Sequence, residues 1–131
     1  MLGYVTIGSN QVAKAKAFYD AVLAPLDIQC FCSSDQAAGY AVGGDANAKQ
    51  SIWVVTPFNK LTATAGNGSM VALDASTRAQ VDAVHAAALS AGGTDEGLPG
   101  LRGDYGPDFY AAYFRDPEGN KFATVCRGVP A

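Results

Sequence analysis

At 131 residues the chain has the length of one ordinary domain, and its 49% hydrophobic and 16% charged content supplies a core and excludes intrinsic disorder. A net charge of −3, with nine scattered basic residues, leaves no Lys/Arg cluster to neutralise phosphates and predicts no nucleic-acid partner. The opening Met1-Leu2-Gly3-Tyr4-Val5-Thr6-Ile7 has no basic flank and no long apolar run, so neither a signal peptide nor a membrane span is expected.

Leu2 to Gly8 reads as a strand. Ser9-Asn10 offers an N-cap, and Val12, Ala15, Phe18, Tyr19 and Val22 then fall at helical spacing until Pro25 stops the run. Three extended runs follow, Ile28 to Cys32, Gly39 to Val42 and Ser51 to Thr56, the last two separated by a Gly43-Gly44-Asp45 turn. Cys30 and Cys32 alternate on one strand face. With Cys126 they make an odd count, which predicts free, buried or half-buried thiols in a cytoplasmic protein and no disulfide framework.

A polar connector from about 58 to 67 ends at Gly66-Asn67-Gly68, and the pattern restarts. Met70 to Leu73 is a strand, Thr77 with Gln80 reads as a capping box, and Val81, Val84, Ala88 and Leu89 form a second helical stripe closed by Gly92-Gly93. Extended segments are expected at Thr94 to Leu98, Phe109 to Arg115 and Lys121 to Cys126. The last two are joined by the turn Asp116-Pro117-Glu118-Gly119-Asn120. Gly97 to Pro107 reads as a long irregular loop.

Tyr4 falls on Met70 and Phe18-Tyr19 on Val84-His85 at one common offset of 66 residues, so the chain repeats a βαβββ unit once. The predicted organisation is a single domain over 1–131, with module one at about 1–57 and module two at about 68–127. The fold class is α+β, with a curved mixed sheet around a concave cleft and helices on the outer face. Alternation puts Val5, Ile7, Val71, Leu73 and Phe122 beneath the helices and turns Tyr4, Thr6, Met70, Ala72 and Ala123 toward the concave side.

The ordered set Gly3-Tyr4-Val5-Thr6-Ile7-Gly8-Ser9-Asn10, Ala17-Phe18-Tyr19-Asp20, Gly66-Asn67-Gly68-Ser69 and Phe114-Arg115-Asp116-Pro117-Glu118-Gly119-Asn120-Lys121 resembles the vicinal oxygen chelate superfamily across essentially the whole chain. That superfamily comprises the glyoxalase, bleomycin-resistance and extradiol-dioxygenase group. The resemblance implies a divalent ion held by His or Glu from the first and last strands of each module. Carried onto this sequence, those positions are Tyr4, Met70, Ala123 and the strand around Trp53. A phenol, a thioether and a methyl group stand where donors belong, so no metal and no cofactor are expected. The resemblance also implies a homodimer.

Without an ion, the cleft is expected to be aromatic and apolar, with Tyr4, Thr6, Trp53, Met70, Ala72 and Ala123 as lining, and to take a small aromatic or hydrophobic molecule. Arg102 is a candidate clamp for an anion, and Tyr105 a further contact from the loop above. Tyr4, Arg102 and Asp104 are the candidate catalytic groups if the protein is instead a metal-free lyase or isomerase. A metal enzyme of glyoxalase or dioxygenase type is the least favoured reading. His85 is expected to pack within its helix, and Asp116 and Glu118 to serve the turn.

Overall fold

The computed structural model of the chain describes residues 1–128, so residues 129–131 of the predicted domain lie outside the described residues. Module one runs β1 (Tyr4–Gly8), α1 (Val12–Leu23), β2 (Ile28–Ser33), β3 (Ala37–Val42) and β4 (Ser51–Val55). Module two repeats it as β5 (Val71–Asp74), α2 (Arg78–Ser90), β6 (Thr94–Leu101), β7 (Tyr110–Arg115) and β8 (Lys121–Cys126). Each module forms a four-stranded mixed sheet, in the orders β1-β4-β3-β2 and β5-β8-β7-β6. Within each sheet the first strand pairs in parallel with the last, and the other pairings are antiparallel. The curved sheet is thus two sheets meeting at a seam between β1 and β5, with no hydrogen-bonded ladder across it.

Burial follows the period of two. Ile7, Ile52, Val54, Ala38 and Tyr40 face α1 in one sheet, and Leu73, Phe122, Ala112 and Phe114 face α2 in the other. The two halves share one core. Phe18 and Tyr19 of α1 meet Phe114 and Phe122 of module two, with ring centroids 6.2 and 5.6 Å apart. His85 is buried on α2 and its Nε2 lies 2.9 Å from Asp95 Oδ1, a packing role in keeping with the sequence reading.

Helix ends follow local chemistry. The Thr77–Gln80 capping box is present, and Gly92 follows α2 with φ +103°. Pro25 lies in a short 3-10 turn that ends α1, and Asp27 there takes φ 57°. The predicted Ser9-Asn10 cap of α1 is displaced. The N-cap is Gln11, which has no side-chain cap, while Ser9 Oγ accepts from Gln11 N–H at 3.0 Å before the helix starts.

Two further expectations are corrected. The loop from Gly97 to Pro107 is ordered as the continuation of β6 to Leu101, followed by a 3-10 turn at Gly103–Tyr105. β6 is an edge strand whose register shifts between Asp95 and Gly97 and again between Gly97 and Gly100, which is where an edge strand tolerates Gly and Pro99. Cys32 is exposed, because a register shift between Cys30 and Cys32 breaks the alternation. Cys30 is half-buried, Cys126 is buried, and all three thiols are free.

Candidate functional site

The faces of the sheets away from the helices carry the candidate site. In module one, the register aligns Tyr4 with Ser51, Thr6 with Trp53 and Trp53 with Gly39 on this face. The bulge in β2 brings Phe31 over Gly39, with its ring 5.4 Å from Trp53. A Cβ at Gly39 would lie 2.8 Å from Trp53 and 2.9 Å from Phe31, so a larger residue there would have to displace these rings. Trp53 is therefore largely occupied by Phe31.

The seam holds two cavities that share Val5 and Val71. One, of about 340 Å³, places Tyr4 with Ala72, and the other, of about 410 Å³, places Thr6 with Met70. β1 and β5 accordingly pass each other in opposite directions. Tyr4 is 66% exposed at the first of these cavities. Tyr40 also lines it. Its hydroxyl donates to Asp20 Oδ1 at 2.8 Å, and burial followed by that bond pushes the phenol far above its ordinary pKa, so Tyr40 is a fixed donor and no base.

In module two the same face forms an open basin of about 540 Å³, lined by Met70, Glu96, Arg102, Tyr105, Phe109, Tyr113 and Lys121. Tyr113 is its floor, aligned with Gly97 on one side and Ala123 on the other. The Arg102 guanidinium lies 5.4 Å from the Tyr113 ring centroid and donates to Gly100 O at 2.9 Å and Leu98 O at 2.7 Å. Lys121 Nζ stands 5.7 Å from the same centroid. Tyr105 and Phe109 meet edge to face at 5.3 Å and form the wall.

Of the residues singled out in the sequence, Met70, Arg102 and Tyr105 are gathered in this basin. Tyr4 and Ala72 line one seam cavity and Thr6 the other, which Met70 also reaches. Ala123 is only 3% exposed and supplies floor without an open contact surface, because Tyr113 and Ala72 flank it in the sheet. Asp104 is exposed on its 3-10 turn and does not line the basin, so Tyr4, Arg102 and Asp104 are not assembled as one acid–base group. Tyr113 and Lys121 were missed. Lys121 is two residues before Ala123 on the same strand, so alternation alone puts it on the concave face.

The positions implied for a divalent ion do not fit one. Tyr4, Met70, Trp53 and Ala123 offer no imidazole or carboxylate, and no group of three or more His, Cys, Asp or Glu residues is placed to hold an ion among the described residues. No described helix is long and apolar enough to cross a membrane.

No family model and no curated protein matches the chain. Solved structures do. A glyoxalase/bleomycin resistance protein from Albidiferax ferrireducens T118 is 36% identical over 98% of this chain and 99% of its own, with a TM-score of 0.86. A glyoxalase/bleomycin resistance protein/dioxygenase family enzyme from Burkholderia phytofirmans PsJN shares the fold at 24% identity, over 96% of this chain and 98% of its own, with a TM-score of 0.73. Lactoylglutathione lyase from Agrobacterium tumefaciens does so at 18% identity, over 96% and 92%, with a TM-score of 0.67. The two βαβββ modules, their outer helices and the 36% identity along nearly all of both chains give one conclusion: this protein belongs to the glyoxalase/bleomycin resistance protein family, within the vicinal oxygen chelate superfamily.

Proposed function

We propose that the protein binds a small, flat aromatic or hydrophobic molecule on its concave face, as a module that works without the divalent ion of its metal-using relatives. The observation that carries this reading is the basin of about 540 Å³ walled by Met70, Tyr105, Phe109 and Tyr113, a volume within the range of small-molecule sites. Tyr105 is 70% and Met70 45% exposed, so both have apolar surface left to bury. Covering about 200 Å² of such surface contributes on the order of 5 kcal/mol, much of it offset by immobilising the ligand. Apolar contact alone then supports binding no tighter than about the millimolar level.

The test is a thermal-shift and calorimetric panel of neutral fused-ring compounds against the wild type and Tyr105→Ala. Binding by several flat compounds, weakened in the variant, supports the proposal. A panel that leaves the melting temperature unmoved and gives no heat counts against it.

A further inference from the structure

Resting on that reading, we infer that Lys121 is the anchor of the basin and that its ligand is an aromatic monocarboxylate. Three independent features of Lys121 meet. First, it lines the basin, the adjoining seam cavity and the cavity beside the Gly66–Ser69 loop, so this one residue borders three open spaces. Second, it is half-buried, yet no carboxylate lies within 4.0 Å of its nitrogen among the described residues. The neighbouring cation in the cavity beside the Gly66–Ser69 loop, Arg115, is paired with Glu96 and donates to Gly119 O at 2.8 Å. Third, Lys121 is aligned directly opposite Arg115 across the β7–β8 ladder. Like charges in that relation destabilise a sheet; Glu96 offsets the Arg115 half of this pair, and among the described residues no carboxylate within 4.0 Å offsets the Lys121 half. An anion at Nζ would.

The surroundings select the anion. Nζ stands 5.7 Å from the Tyr113 ring centroid in a basin that Tyr105 and Phe109 also line, so a molecule whose charge docks there has aromatic surface within the same basin. Arg102 is committed to two backbone carbonyls and the Tyr113 face, which fixes its place and leaves it a general positive field. Glu96 lines the same basin. A single negative charge matches the one ammonium of the basin, which among the described residues has neither a carboxylate nor a carbonyl partner. Lys121 acts as a compact point charge, which suits a carboxylate held by one oxygen.

Three probes of one shape distinguish the cases: 1-naphthoate, the neutral 1-naphthalenemethanol and 1-naphthyl phosphate, titrated by heteronuclear NMR into the full chain. The expected result is naphthoate binding about fivefold to tenfold tighter than the alcohol, with amide shifts at Lys121, Tyr113 and Arg102. That advantage should vanish in Lys121→Met, which keeps the aliphatic stem, and persist in Lys121→Arg, which keeps the charge; alcohol binding should be the same in all three proteins. If naphthoate and alcohol bind alike in wild type and Lys121→Met, the inference falls and the aromatic-site reading stands. If neither binds, both fall. Tighter binding of the naphthyl phosphate overturns the carboxylate assignment.

Discussion

Replacing Asp116 by alanine is expected to destabilise the fold more than any single change on the concave face. Asp116 is 4% exposed, and its carboxylate accepts four hydrogen bonds. Tyr19 Oη donates at 2.5 Å, Glu118 N and Asn120 N at 2.9 Å each, and Asn120 Nδ2 at 2.8 Å. Asp116→Ala leaves the wholly buried Tyr19 hydroxyl without an acceptor, at about 1–3 kcal/mol, and deprives two part-buried amides of theirs, at about 0.5–1.5 kcal/mol each. The sum is about 2–6 kcal/mol, a large share of the 5–15 kcal/mol typical of a domain. Tyr19→Phe removes the donor without orphaning anything, and the carboxylate keeps three partners, so about 1–2 kcal/mol is expected. Urea denaturation of wild type, both single variants and the double variant measures this. The midpoints should fall with unchanged slopes, and the double variant should lose about 1–3 kcal/mol less than the sum of the singles. An Asp116→Ala cost below about 1 kcal/mol, or a Tyr19→Phe cost equal to it, refutes the hub.

Two further outcomes follow from the packing and the buried phenols. A Cβ at Gly93 would lie 2.6 Å from Arg115 O and 2.9 Å from Ala88 O, both backbone atoms that cannot rotate aside, so Gly93→Ala should cost about 1–3 kcal/mol by chemical denaturation. Gly3→Ala, with open space around it, should stay within about 0.5 kcal/mol of wild type. Burial, and then the charge of Asp116, push the Tyr19 phenol far above its ordinary pKa, and burial with the Asp20 bond does the same for Tyr40. The folded state thus holds protons that the unfolded state releases above pH ~10. Stability is intact below that pH and should fall as pH rises past it, by up to about 1.4 kcal/mol per pH unit for each phenol, with Tyr19→Phe removing one share.

The fold was legible because its signals are local and repeated. Val5-Ile7, Val71-Leu73 and Phe122 alternate toward the helices, and the 66-residue offset aligns one module with the other. What the sequence hid lies at irregular backbone. A bulge reverses the sidedness that alternation assigns to Cys32, which emerges exposed opposite Gly39, while Phe31 keeps the concave side and meets Trp53. Gly97, Pro99 and Gly100 carry loop signals, yet the edge position of β6 lets Gly97 and Gly100 pair with β7 on either side of an irregularity that holds Pro99, and that pairing sets Arg102 over Tyr113. Met70, Arg102 and Tyr105 could be nominated singly. Their meeting with Tyr113 and Lys121 depends on cross-strand register, which no period along one strand encodes.

The hairpin between β7 and β8 shows how one motif can satisfy local and global demands together. Its Asp-Pro-Glu-Gly-Asn sequence is explained by turn geometry, with Gly119 at φ +94° and Asp116 accepting from Glu118 and Asn120. Turn geometry does not require the rest. Glu118 Oε1 accepts from Asn10 N–H at 2.6 Å, Asn120 Nδ2 donates to Gly8 O at 3.2 Å, and Asp116 receives the Tyr19 hydroxyl, so three hairpin side chains grip module one. The resemblance implies that an ion in metal-using relatives ties the first and last strands of both modules together. Here those donors are a phenol, a thioether, an indole and a methyl group, and β1 and β5 share no ladder. The ties between modules among the described residues therefore include the α1–α2 packing, the Gln80 Nε2 bond to Pro25 O, the common aromatic core and this hairpin. Lys121 follows Asn120 directly, so the contact that latches the modules also fixes the ammonium at the rim of the basin. Loosening the latch should move the anchor as well as lower stability.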